Sequence, residues 1–149
     1  MSRETDFETV MEADATLMAI LTGGVHTRES LGDEGLARET VPTAFDSNGF
    51  LKPCSVVRQR AAVNDGAVDD MQAQEASVQQ VVELWFYDDS GFTNIDSAKA
   101  RSKVLFHGYQ FNDSFPLEWA GEPITRDYDR GALNGRPMAR QDWSVIDIQ

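Results

Sequence analysis

The chain has 149 residues, of which 25 are aspartate or glutamate and 13 are lysine or arginine, so its formal net charge is -12. This length, with 41% apolar residues, predicts one globular domain that can bury a core. The negative charge disfavours nonspecific binding to nucleic acid phosphates, and no apolar run reaches the length of about 18 residues that a membrane span needs.

The basic residues are mostly arginine, and only three of the thirteen are lysine. Many carboxylates with few lysines are typical of a protein from a high-salt cytoplasm, where a short Debye length makes a large surface charge tolerable. An ordinary acidic protein is the alternative interpretation of the same composition.

The first predicted element is a helix over about residues 6–22. Thr5 and Glu8 have the spacing of a capping box, and apolar residues recur behind them at helical spacing. Gly23-Gly24 stands where a left-handed cap would end the helix. Asp14 interrupts the apolar stripe, so the pattern predicts either one helix or two pieces broken near that residue.

Residues 25–52 show no hydrophobic period and predict a long loop or arm. A structureless stretch of this length is unusual in a compact domain, so a hidden short strand is the alternative, with residues 41–45 as the candidate. Residues 54–63 then predict a strand that begins at Cys54. This single cysteine is predicted to be a small buried residue rather than a nucleophile.

Residues 64–76 predict a long, solvated hairpin loop, since this segment carries acidic residues and no basic one: Asp65, Asp69, Asp70 and Glu75. The next run, residues 77–87, has the highest density of β-branched and aromatic side chains in the chain and predicts the central strand. Apolar residues fall on both of its faces, which predicts burial on both sides.

A helix is predicted over residues 93–107, with Gly108 in the position that follows a helix end. It carries the one close basic cluster of the chain: Lys99, Arg101 and Lys103. Two strands, at about residues 122–128 and 138–148, are then predicted to pair antiparallel. Charged residues at the end of the first strand predict ion pairs at the rim of a subunit contact: Arg126, Asp127, Asp129 and Arg130.

This order of elements predicts an α+β fold, an antiparallel sheet with an N-terminal helix and a central helix packed mainly on one face. The sequence contains no glycine-rich phosphate loop, no His-x-x-x-His pair and no Ser-His-Asp order. We therefore predict no catalytic residue, no metal site and no cofactor. The adjacent Asp88 and Asp89 point in opposite directions if they end a strand, so they predict a turn.

The arrangement nevertheless resembles a known family. The first helix ends in the pattern Ala-Asp-Ala-Thr-Leu-Met-Ala-Ile-Leu-Thr-Gly-Gly-Val, and a variable loop leads to a strand that follows Lys52-Pro53. A hairpin, a long strand, a turn, a helix and two closing strands come next. In this order the chain resembles the tail terminator, or tail completion, proteins of long-tailed bacterial and archaeal viruses.

The resemblance implies a structural, non-enzymatic virion protein, assembled in the host cytoplasm, that forms a hexameric ring at the head-tail junction. Such a ring caps the tail tube, docks to the head connector, and lets DNA pass through its lumen. The acidic residues of segment 64–76 would then line the lumen, and the basic cluster would contact a neighbouring subunit. The alternatives are a head-completion or adaptor protein on the portal, or a small acidic enzyme or ligand-binding protein.

Overall fold

The structure, a computed structural model, describes residues 3–60, 63–64, 78–129 and 135–148. It contains helices and strands that alternate irregularly along the chain, together with two short 3-10 turns at Gly32–Glu34 and Pro42–Ala44. The helices are α1 (Arg3–Ala13), α2 (Ala15–Ile20), α3 (Arg28–Leu31) and α4 (Thr93–Phe106). The strands are β1 (Val25–Thr27), β2 (Cys54–Gln59), β3 (Val63–Asn64), β4 (Val78–Tyr87), β5 (Glu118–Trp119), β6 (Ile124–Asp129) and β7 (Arg136–Ile146).

All seven strands belong to one sheet, in the order β1-β2-β4-β7-β5, with β3 also paired to β4 and β6 also paired to β7. Every pair is antiparallel except β1 with β2, which is parallel. The long strands β4 and β7 form the centre. The predicted α+β class is confirmed, and the parallel pair at the edge is the feature that the sequence did not indicate.

The N-terminal segment forms two helices, and Asp14 separates them. The side chain of Asp14 accepts a hydrogen bond from the amide of Leu17, which is the N-cap interaction that starts α2. The two-piece alternative is therefore correct. The capping box is wrong, because α1 already begins at Arg3 and Thr5 lies inside it.

One face of the sheet packs against α1, α2 and α4 and holds the main core. Alternate residues of β2, β4 and β7 point to this face, and the largest of them, Trp143, is completely buried. None of the helices in the described ranges is long and apolar enough to cross a membrane. The core comprises Phe7, Met11, Leu17, Leu21, Val25, Val57, Val82, Leu84, Phe86, Ile95, Ala98, Phe106, Leu117, Ala139, Trp143 and Val145.

The opposite face of the sheet is covered at one end by residues 28–51. This segment carries Leu31, Leu36 and Leu51 onto the outward-facing residues of β2 and β4, where they form a second apolar cluster with Cys54 and Tyr87. The prediction of a loop over residues 25–52 is thus wrong in part. The segment does hide a strand, but at residues 25–27, and the candidate residues 41–45 form a 3-10 turn instead.

The second cluster also confirms that the central strand is buried on both sides. The register of β4 with β2 pairs Val57 with Leu84 on the helix-covered face and Cys54 with Tyr87 on the other face. The predicted closing strands pair antiparallel as β6 and β7, with an irregularity between Ile124 and Asp127.

Candidate interaction surfaces

Within the described residues, the structure places no group of three or more histidine, cysteine, aspartate or glutamate side chains where they could hold a metal ion. The Cys54 side chain is fully buried, as predicted, and burial raises the pKa of its thiol to about 12. A buried thiol that stays protonated is a poor nucleophile.

The basic cluster of α4 does not lie on one free surface. Lys99 is buried, its Nζ donates to the carbonyl of Thr125 at 2.7 Å, and it lies 3.0 Å from Oε1 of Glu122. Arg101 binds both carboxylate oxygens of Asp14, at 2.8 and 2.9 Å. Both charges thus hold α4 to other parts of the same subunit, and the prediction that they contact a neighbour stays a prediction.

Lys103 is different, because it is exposed on the outer side of α4. Its Nζ lies 4.5 Å from the centre of the Trp119 ring, a cation–π contact. Ala100, Val104 and His107 share its helix face by spacing and are also exposed. Val104 is the most exposed large apolar side chain among the described residues, at 68%. We call Ala100, Lys103, Val104 and His107 the α4 outer face.

The residues predicted at the rim of β6 are separated by the fold. Arg126 pairs with Asp96 of α4 and lies over the ring of Phe92, 5.5 Å from its centre. Asp127 accepts a hydrogen bond from the amide of Tyr128 at 2.7 Å. Asp129 turns to the other side and borders a groove described below. Arg130 lies outside the described residues, and the subunit contact proposed for this set stays a prediction.

The acidic residues Asp65, Asp69, Asp70 and Glu75 also lie outside the described residues. Their predicted place at the lumen of a ring is therefore untested.

A groove opens on the sheet face opposite α4. It encloses a cavity of about 380 Å³ between residues 31–37 and the sheet. Its apolar lining comes from Leu31, Leu36, Ala37, Val56 and Tyr87, and its charged residues are Asp33, Glu34 and Asp129. We call it the acidic groove, since its lining residues include no basic side chain.

Next to the groove, two carboxylates and two guanidinium groups form a network on the same sheet face. Glu83 of β4 and Asp142 of β7 face each other in register and are both nearly buried. Arg60 lies 2.6 Å from Glu83 and 2.8 Å from Asp142, and Arg140 lies 3.1 and 2.8 Å from the same carboxylates. The sequence alone does not indicate this network, because strand pairing brings together residues that are distant along the chain.

The network changes the ionisation of Asp142. The pKa of Asp142 is raised to about 6, chiefly by burial, with the charge of Arg60 acting in the opposite direction and that of Glu83 adding to the rise. Trp85 adds to the enclosure, because its Nε1 donates to Glu83 at 2.9 Å and the guanidinium of Arg140 lies over its ring. The network thus brings two guanidinium groups onto two nearly buried carboxylates, with Arg60 at its partly exposed edge.

A second set that sequence reasoning missed ties the N-terminus to distant parts of the chain. The buried Arg3 lies 2.8 Å from Asp113 and 2.6 Å from Asp147. Its neighbour Glu4 accepts hydrogen bonds from the backbone amides of Glu29 and Gln59, both at 3.0 Å. These contacts fix α1 against the end of the sheet where β1, β2 and β7 finish. Their partners stand far away in sequence, so no local pattern indicates them.

No family model and no curated protein matches this chain. Among solved structures, it is similar to a chain in the "Virion of native gene transfer agent (GTA) particle", with a TM-score of 0.56 and 12% sequence identity. The match covers 95% of this chain and 91% of that chain. At this identity the likeness shows that the two chains share a fold along nearly their whole lengths.

Proposed function

We propose that this chain is a structural virion protein that forms a ring at the head-tail junction of a long-tailed virus or a related particle. In this role it terminates the tail tube, joins it to the head connector, and encloses a lumen through which DNA passes. The protein acts by assembly and not by catalysis. Its partners are further copies of itself, a tail tube protein and a connector protein.

The observation that carries this proposal is the fold shared over 95% of the chain with a component of a gene transfer agent virion. It agrees with the order of elements on which the resemblance to tail terminators rests. Fold alone does not define function, so the surfaces must also suit the role.

Two features of the described surface support a ring. The α4 outer face and the acidic groove lie on opposite sides of the sheet and differ in composition, and two unlike surfaces suit a head-to-tail contact between identical subunits. The net charge of -12 is also suited to a channel for DNA, because a negative wall repels the phosphate backbone and lets it slide. We place Asp65, Asp69, Asp70 and Glu75 on that wall.

The test begins with the purified protein, alone and mixed with its candidate tail tube and connector proteins. Mass measurement in solution and negative-stain imaging are expected to show a closed ring whose mass is a multiple of that of the 16.6 kDa chain. Labelling the protein in intact particles should then mark the end of the tail tube that faces the head.

Other outcomes would support other functions. A label confined to the portal side of the neck, with no binding to the tail tube protein, would favour a head-completion or adaptor protein. A chain that stays monomeric with every particle protein and binds a metabolite would contradict the virion role altogether. If Asp69→Lys and Asp70→Lys leave DNA passage through the ring unchanged, these residues do not line the lumen, and the rest of the proposed function stands.

A further inference from the structure

We propose that the α4 outer face of one subunit docks into the acidic groove of the next, and that this contact builds the ring. The inference deepens the proposed function and rests on it, since it names the two surfaces through which copies of this chain meet. It concerns described residues only and does not involve the segment predicted to face the lumen.

The α4 outer face has the composition of a docking surface. Val104 projects from the middle of it with two thirds of its side chain in solvent, although an isolated exposed valine would be unremarkable. Here it is flanked by the basic Lys103 and followed one turn later by His107, while Trp119 lies against Lys103. A rigid helix therefore presents an apolar centre with one positive charge beside it, the ammonium group of Lys103, and Asp96 and Glu122 line the same shallow pocket as Lys103.

The acidic groove has the complementary composition. Its floor consists of Leu31, Leu36, Val56 and Tyr87, and each of these side chains retains only a small exposed fraction at the bottom of the cavity. Asp33 and Glu34 are exposed at its border. A cavity of about 380 Å³ is large enough to receive an aliphatic side chain such as that of Val104, with room for the turn of helix that carries it.

Charge identifies the partner as a second copy of this chain. The chain is strongly acidic overall, so most approaches between two copies bring negative surface against negative surface. Contact between the α4 outer face and the acidic groove avoids this, because Lys103 meets Asp33 and Glu34 across the border of the contact. Electrostatic complementarity of this kind selects the orientation of a complex more than it adds affinity.

The placement of the two surfaces makes the contact heterologous, with a different surface from each subunit. Residues that point to the helix-covered face of the sheet alternate with those that line the groove, as the register of Val57 with Leu84 and of Val56 with Trp85 shows. The two surfaces therefore face in opposite directions on one subunit. A contact between unlike surfaces repeats from copy to copy, and it closes into a ring when the rotation allows.

Cross-linking can test the contact even if it is weak. One preparation carries Val104→Cys and another carries Ala37→Cys, which lies in the groove lining. Mixing them with a short bismaleimide should yield a cross-linked dimer far faster than either variant alone. The native Cys54 can stay in both preparations because it is fully buried. The matched control replaces Val104→Cys by Ser47→Cys, an exposed position on the segment that forms the groove side of the molecule.

A charge exchange gives a second, independent measurement. Lys103→Glu and Asp33→Lys should each lower the association constant roughly tenfold at about 0.1 M salt, equal to about 1.4 kcal/mol. The two variants mixed together should recover most of the loss, because the reversed charges again attract. The effect should shrink at about 1 M salt, where the Debye length is near 3 Å. Circular dichroism at each step confirms that the exposed substitutions leave the fold intact.

The inference is overturned if the Val104 and Ala37 pair cross-links no faster than the control pair, or if the charge exchange restores nothing. Rings that form while this pair fails to cross-link would leave the proposed function intact and assign the contact to another surface. If neither rings nor any self-association form, with or without the tail tube and connector proteins, the proposed function falls together with the inference. Cross-linking of the α4 outer face to the tail tube protein alone would also overturn the assignment to a second copy.

Discussion

Arg101 of α4 donates hydrogen bonds to both carboxylate oxygens of Asp14, the residue that starts α2. The same carboxylate accepts the amide of Leu17, so one side chain both caps a helix and binds the next helix in the core layer. This double use explains why the helical segment breaks at Asp14 and why α2 packs against α4. It also means that a residue expected at a subunit contact has a structural partner within its own subunit.

Substitutions of Asp14 should separate its two interactions. Asp14→Ala removes both the cap and the ion pair, and we expect it to lower the free energy of unfolding by about 1–2 kcal/mol. Asp14→Asn keeps an oxygen that can cap α2 and should cost clearly less. Urea unfolding at pH 7 measures both. Equal losses for the two variants would show that the cap contributes nothing measurable.

The Asp14 ion pair also predicts a specific acid sensitivity. The hydrogen bonds from Arg101 lower the pKa of Asp14 in the folded protein below its usual value of 3.8. A lowered carboxyl pKa contributes stability above the unfolded value, and that contribution is lost as the pH falls through the folded value. The stability difference between the native protein and Asp14→Asn should therefore narrow below about pH 4. A difference that stays constant down to pH 2 would contradict this.

The Asp142 network should show the opposite pH dependence. The pKa of Asp142 is raised to about 6, so between about pH 4 and 6 the folded chain keeps a proton that the unfolded chain has lost. The contribution of Asp142 to stability therefore falls as the pH rises through this window and is constant above it. Asp142→Asn does not titrate, and we expect its thermal midpoint to vary less between pH 4 and 6 than that of the native protein.

The control for this measurement is Asp127→Asn, which neutralises an exposed aspartate on the neighbouring strand. It should keep the pH profile of the native protein between pH 4 and 6. If Asp142→Asn also keeps that profile, the carboxyl of Asp142 titrates outside this window, and the two arginines dominate its environment.

Glu4, the second residue of α1, should contribute to the stability of the folded chain. Its carboxylate accepts the backbone amides of Glu29 and Gln59, and both of these amides lose their acceptor in Glu4→Ala. We expect that variant to lower the free energy of unfolding by about 1–2 kcal/mol, since both hydrogen bonds are partly buried and water can reach the amide of the exposed Glu29. Glu4→Gln retains one acceptor oxygen, and its free energy of unfolding should lie between those of the native protein and Glu4→Ala. Amide hydrogen exchange should accelerate at residues 29 and 59 first.

A matched comparison is Glu12→Ala on the same helix, because Glu12 is exposed. It should leave the unfolding midpoint almost unchanged. A loss as large as that of Glu4→Ala would mean that the effect comes from removing any carboxylate of α1 and not from the amides that Glu4 binds.

The sequence predicted those parts of the fold whose residues form a continuous local pattern. The apolar period of residues 93–106 and the two-sided apolar run of β4 were long enough to identify a helix and a central strand. The three-residue strand β1 was missed because it is too short to show alternation and gains its stability by pairing with β2. Lys99 was expected at the surface for a similar reason, since the Thr125 carbonyl that it binds lies 26 residues away.

The two interaction surfaces were likewise predictable only where a local pattern exists. The basic residues of α4 were recognisable as a cluster in the sequence, but strand pairing and helix packing decided which of them stay exposed. Lys103 remained at the surface, while Lys99 and Arg101 were drawn into ion pairs within the subunit. The acidic groove needed the folded segment 28–51 and two strands together, so no local pattern could reveal it.

Salt should stabilise this protein. A net charge of -12 on 149 residues produces self-repulsion in the compact state, and shortening the Debye length from about 10 Å to about 3 Å removes most of it. We expect the thermal midpoint to rise between about 0.1 and 1 M KCl. A variant carrying Asp33→Asn, Glu39→Gln and Glu118→Gln, all at exposed positions, is less negative by three charges and should rise less. The screening argument fails if both proteins show the same salt dependence, or if the midpoint of the native chain falls as KCl is added. In that case the ion pairs within the fold, which salt weakens, would contribute more to the salt dependence than the surface repulsion does. The scarcity of lysine would then reflect something other than adaptation to high salt.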